Sequence, residues 1–131
     1  MIELLKKRLT RDEKGFTLIE LLVVIIILAI LLAIAIPSYL SFRGRASDTS
    51  AQANIRAIVP SISSYFSDKN TYLGMTLANL QSTYDQAIDA SKYSLPAADL
   101  SASSFCISST VVGQTWSKTG PAGTIVQAAC P

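Results

Sequence analysis

The sequence predicts an α+β chain: one long N-terminal helix, lipid-embedded in its first half and amphipathic in its second, packed on a small antiparallel β-sheet. Three observations carry this. Phe16 to Ile36 reads FTLIELLVVIIILAILLAIAI, with Thr17 and Glu20 its only polar members. Beyond Pro37, the residues Ala53, Ile55, Ile58, Val59, Ile62, Tyr65 and Phe66 fall at helical spacing on one stripe. In the last third of the chain, short β-like runs alternate with glycine-bearing turns.

The apolar run would span about 31 Å as a helix, the thickness of a bilayer's hydrocarbon core. A buried soluble helix needs apolar cover on every side, and the roughly 95 residues that follow are too few to give it. The run at 16–36 is therefore read as a membrane span. Pro37 removes a backbone donor and crowds the preceding turn, so a kink is expected there. The amphipathic half should end near Asp68, where Asp68-Lys69-Asn70-Thr71 favours a turn, and Pro60 within it allows a second kink or an early end. Thr76 suits the N-cap of a short helix through Leu77, Leu80 and Tyr84. The strands are expected at Phe105-Cys106-Ile107, Gln114-Thr115-Trp116 and Thr124-Ile125-Val126, separated by Gly113 and by Gly120-Pro121-Ala122-Gly123. Packed on the helix, such a sheet would bury Trp116 and Phe105.

Composition narrows the function. The chain has no histidine, which removes the commonest general base and transition-metal ligand. Asp85, Asp89 and Asp99 are isolated acids in a Ser-rich stretch and read as solvated surface rather than acid–base pairs. Phe16, Tyr39, Phe42, Tyr65 and Phe66 read as helix-packing aromatics rather than an electron path. No cofactor and no metal are expected. A net charge of +2 does not support nucleic-acid binding. Lys6, Lys7, Arg8, Arg11 and Lys14 stand against Glu3, Asp12 and Glu13 in the first fifteen residues, and the remainder is balanced at six of each sign. By the positive-inside rule this basic head stays in the cytoplasm and residues 37–131 cross the membrane. Cys106 and Cys130 are then outside, where a disulfide persists; two separate buried thiols are the alternative. A bridge would close a loop of about 25 residues and add roughly 3–4 kcal/mol in the chain-entropy model.

Glu20 asks for a partner. A carboxylate at the bilayer centre costs about 2.5–3.5 kcal/mol, and less near the interface. Either Glu20 marks that interface and snorkels, or it meets a positive charge inside an assembly. Nothing else in the span carries one, whereas an amino terminus created just before Phe16 would.

The run Lys14-Gly15-Phe16-Thr17-Leu18-Ile19-Glu20, followed by the aliphatic segment and Pro37, resembles the processing signature of type IV prepilins and related pseudopilins. The resemblance is close over about residues 14–45. It implies the type IV pilin fold, a leader at 1–15 removed by a prepilin peptidase between Gly15 and Phe16, and N-methylation of Phe16. It pairs Glu20 with the new terminus of its own or a neighbouring subunit. The implied partners are identical subunits, the peptidase, a membrane platform protein, an assembly ATPase acting indirectly, and lipid before assembly. The precursor would be a single-pass protein of the cytoplasmic (inner) membrane, and the product an extracellular filament for adhesion, motility or DNA uptake. Relatives with a glycine midway through the span differ from this chain, which has none between Phe16 and Arg43. A minor pilin or pseudopilin of a secretion or competence system is the alternative, and a membrane-anchored domain that never polymerises is a further one.

Overall fold

The computed structural model describes residues 15–131. The basic head expected at the start of the leader lies outside the described residues. Contacts divide the chain into two units, one ending at Leu40 and one running from Ser41 to Pro131.

Helix α1 runs Leu18–Lys69 without interruption. In the first unit it is a bare apolar rod: the large side chains from Leu21 to Ile36 are all 47–68% exposed. Such exposure right around a helix has no counterpart in a water-soluble core. Pro37 deprives the Ala33 carbonyl of its partner four residues on, yet the helix continues past it. The next carbonyl, that of Ile34, accepts a bond from the Ser38 hydroxyl at 3.3 Å.

In the second unit the helix buries Ala51, Ile55, Ile58, Ile62 and Tyr65, at alternating steps of three and four residues. Ala53, expected on this stripe, is exposed, because it stands two residues from Ala51 and so points to the opposite face. The early end weighed at Pro60 does not occur. Pro60 itself is exposed, while Ile58 and Ile62 on either side of it are anchored in the core. Several hydroxyls along the helix donate to the carbonyl four residues back, among them Ser47 to Arg43 and Ser63 to Val59, each at 3.0 Å. The helix stops at Asn70, which takes a left-handed conformation (φ 53°) while its N–H closes on the Phe66 carbonyl at 2.7 Å.

Thr76 caps the short helix α2, Leu77–Asn79, its hydroxyl accepting from the Asn79 N–H at 3.1 Å. A single wide turn, Leu80–Tyr84, carries this on to the expected end. The sheet has four strands in chain order, all antiparallel: β1 (Tyr93–Ser94), β2 (Cys106–Val111), β3 (Gln114–Thr119) and β4 (Ile125–Val126). Strands β2 and β3 form a tight hairpin, with Val111 opposite Gln114 and both turn residues, Val112 (φ 49°) and Gly113 (φ 82°), left-handed. Two successive positive φ values suit the twist of a two-residue hairpin. Gly113 adopts them freely, but a β-branched valine does not.

The core joins Ile55, Ile58, Ile62 and Tyr65 of α1 to Tyr72, Met75, Leu80, Ile88, Phe105 and Ile107. Tyr72 stacks on Phe66, with ring centres 4.6 Å apart, and tilts against Phe105 at 4.9 Å. Trp116 is only half-buried. Its indole N–H instead donates to Asp48 at 2.9 Å, tying β3 to the helix. A second polar tie runs from the Asn54 amide to the Ser109 hydroxyl at 3.0 Å, while the Tyr93 hydroxyl donates to the Asn54 carbonyl at 3.0 Å. The polar groups of these two ties are thereby satisfied, which makes their partial burial tolerable. Cys106 and Cys130 are joined as a disulfide, their Cα atoms 5.8 Å apart.

Candidate functional site

Gly15, Phe16 and Thr17 precede the helix in non-helical backbone, and all three are exposed. A Cβ built at Gly15 meets nothing within 4 Å, so the fold itself does not require glycine there. Thr17 is the N-cap of α1 and Glu20 the third helical residue. The Thr17 backbone N–H and hydroxyl both donate to Glu20 Oε2 at 2.8 Å, and the Glu20 N–H reaches Thr17 Oγ1 at 3.3 Å. This reciprocal arrangement is a capping box, which satisfies two helix-terminal donors that would otherwise lack partners.

Glu20 thus has a role within its own chain that sequence reasoning missed. The signal was present: Thr-x-x-Glu directly ahead of an apolar run. The box does not exhaust the carboxylate, since only Oε2 accepts, from the Thr17 N–H and hydroxyl. It also fixes Glu20 in the first helical turn, close behind the Gly15–Phe16 peptide bond. Phe16 and Glu20 line an open apolar trough of about 380 Å3 with Ile19, Leu21, Val23 and Val24. Glu20 is its one charged member.

Pro37 lies 17 residues further along the same helix. Cys106 and Cys130 belong to the second unit and share no site with Glu20. Asp99 lies against them, with a carboxylate oxygen and the two sulfurs all within 4.8 Å of one another. Because the sulfurs are bonded to each other, they offer no thiolate to a metal ion. Asp99 also departs from the solvated surface expected of it: its Oδ2 is buried and has no hydrogen-bond partner among the described residues. Asp85 and Asp89 do fit that expectation, each accepting only from nearby residues of its own loop: Asp85 from the Ala87 N–H, Asp89 from the Ser91 N–H and hydroxyl and, at 3.9 Å, the Lys92 ammonium. The Ser91 hydroxyl and N–H hold the Asp89 carboxyl below its usual range, with Lys92 adding to the effect.

Comparison with known proteins points the same way. Residues 10–36 match the family model of the prokaryotic N-terminal methylation motif. The chain is 42% identical over 65 residues to the type IV major pilin protein PilA of Myxococcus xanthus, covering 50% of this chain and 30% of that one. It is 50% identical over 62 residues to the type IV wide pilus major component PilA4 of Thermus thermophilus, covering 47% of each. It is also 40% identical over 62 residues to the type II secretion system core protein G of Pseudomonas aeruginosa, covering 47% of this chain and 44% of that one. The chain thus spans less than half the length of these relatives. The motif, the likeness over about half of this chain, the long helix behind the motif and the small antiparallel sheet together make the chain similar to type IV pilins.

Proposed function

We propose that this chain is the structural subunit of a type IV pilus, made as a membrane precursor and cut between Gly15 and Phe16 by a prepilin peptidase that then methylates Phe16. The observation that carries this reading is the bare apolar helix headed by a single carboxylate directly behind the Gly15–Phe16 junction. Thirteen large apolar side chains between Leu21 and Ile36 stand about half exposed. Covering what remains of them is worth on the order of 10–20 kcal/mol relative to water. Such a helix has two stable surroundings, lipid or a bundle of its own kind, and the two differ little in apolar character. Packing, charge pairing and external work then decide between them. In this reading the basic head stays in the cytoplasm, residues 16–36 span the inner membrane, and residues 37–131 are exported. A platform protein and an ATPase lift the subunits into the filament. The role is structural rather than catalytic.

Cleavage would leave an ammonium on Phe16 beside the Glu20 carboxylate, in its own subunit or in a neighbour. Both choices neutralise a charge in low dielectric, and losing one partner of a buried pair costs about 3–5 kcal/mol. Glu20→Ala should therefore insert in the membrane but fail to assemble. Normal filaments from this variant would refute the role. Likeness to a type II secretion core protein supports a second reading, a pseudopilin. Intact mass and amino-terminal sequencing of material sheared from the cell surface separates the readings. Abundant chain beginning at methylated Phe16 supports a pilus subunit. The same processed chain found only in membranes supports the pseudopilin, and a chain still beginning at Met1 refutes both.

A further inference from the structure

The face of α1 that meets the β3–β4 end of the sheet carries a groove of about 400 Å3, lined by Gln52, Arg56, Val59, Lys118, Thr124 and Ile125, with Gly123 at its margin. Both of its ionisable residues are cations. Lys118 is only 9% exposed, and its ammonium donates to the Pro121 carbonyl at 3.2 Å and to the Gly123 carbonyl. These two neutral carbonyls accept from the ammonium but supply no countercharge. Arg56 is exposed and bonds only the Gln52 side chain, at 3.2 Å. The one ion pair among the described residues, Lys92 with Asp89, lies elsewhere. An exposed guanidinium beside a buried, uncompensated ammonium is suited to a carboxylate, which the guanidinium can grip with two parallel bonds.

The complementary charge lies at the opposite edge of the same sheet. The strand order β1-β2-β3-β4 puts the groove, which includes Ile125 of β4, at one edge. Asp85 and Asp89 belong to the loop that leads into β1, at the other edge. Their charges both bear on the hydroxyl of Tyr93 in β1. Of the remaining acids of this unit, Asp48 accepts from Trp116 and Asp68 from Tyr84 at 2.9 Å, while Asp99 is withdrawn from the surface against the disulfide. Asp85 and Asp89 have turn bonds and one long contact to Lys92, and nothing beyond their own loop. Patches of opposite sign on opposite edges cannot meet within one molecule. Between copies they can meet head to tail, a contact that propagates as a filament wherever its rotation does not close into a ring.

We propose that the Arg56–Lys118 groove receives the Asp85/Asp89 loop of a second copy of this chain. The inference rests on the pilus reading and specifies how the exported units recognise one another. Its test is zero-length carbodiimide coupling of sheared filaments carrying Arg56→Lys, a substitution that offers the reagent an accessible amine. Coupling should produce a ladder of covalent oligomers on a denaturing gel, with peptide mapping joining residue 56 to Asp85 or Asp89. The ladder should vanish when Asp85→Asn and Asp89→Asn are added. Separately, Arg56→Glu should lower the yield of sheared filaments about tenfold through like-charge contact, and Asp85→Lys with Asp89→Lys should restore it. Filaments without the ladder, or with residue 56 joined to other carboxylates, overturn the inference and leave the pilus reading intact. Absence of filaments from the unaltered chain overturns both.

Discussion

Replacing Cys106 and Cys130 together by serine tests how far the second unit depends on its covalent closure. The bridge joins residues 24 apart in sequence and encloses β2, β3 and β4. In the chain-entropy model a ring of that size restrains the unfolded chain by about 3.5 kcal/mol. A unit of this length is expected to have a total stability of roughly 5–14 kcal/mol. The loss is therefore a quarter to two-thirds of the total, and corresponds to about 15–25 °C in melting temperature. Serine at the buried position 106 adds little, because the Thr119 hydroxyl already points at that sulfur from 3.5 Å. The assay is urea unfolding of the full chain in detergent micelles, followed by fluorescence of Trp116, its single tryptophan. That indole is bonded to Asp48 across the helix–sheet contact, so its emission reports the packing of the sheet on the helix. The midpoint should fall by about 2–3 M urea. A loss below 1 kcal/mol would show that the sheet holds its register through packing and hydrogen bonds alone.

Two other outcomes follow from the same unit. Val112→Asn should raise stability by about 1 kcal/mol, since asparagine tolerates the left-handed backbone that strains a β-branched residue; an unchanged urea midpoint would count against strain at this turn. Stability should also fall on the alkaline side. Burial raises the phenol pKa values of Tyr72, Tyr84 and Tyr93, with the bond to Asp68 adding to Tyr84 and the charges of Asp85 and Asp89 adding to Tyr93. The unfolded chain then releases protons near pH 10 that the folded chain retains. The contribution is complete below that pH and is lost as pH rises through the folded values, so a urea midpoint flat from pH 9 to 11 would contradict it.

The parts of the fold legible in the sequence are those whose pattern is carried by apolar residues. The run from Phe16 to Ile36 and the step from Ile55 to Tyr65 announce the helix almost to its observed ends, and Gly113 and Gly120 mark two of the turns. Four of the six residues of β2 and half of β3 lie beyond the expected runs because Ser108, Ser109 and Ser117 are buried polar residues on a hairpin. Cross-strand pairing holds them in place, and hydropathy does not see it. The two-residue strand β1 shows no periodicity at all and exists because Tyr93 and Ser94 pair with β2. At the candidate site the sequence exposes Gly15, Phe16 and Glu20 by their spacing, and the capping box was readable there as well. The burial of Asp99 against the sulfurs, and of Lys118 between two carbonyls, was not readable, because only folding brings these groups to their neighbours.

The order of the strands has a consequence for how quickly this unit forms. Each strand pairs with its immediate predecessor, so a newly appearing segment finds its partner already in place and only a short loop must close. The exception is the docking of the sheet on the helix, where Trp116 meets Asp48 across 68 residues. That helix is continuous with the apolar segment, and in the proposed topology it is held at the membrane while the later residues arrive. A tethered helix converts the slow search of a distant contact into a local encounter. Cys130 follows every strand, so the covalent ring closes last and locks an order already reached. Folding should therefore proceed hairpin by hairpin from the membrane outward, with oxidation as the final step rather than the guide.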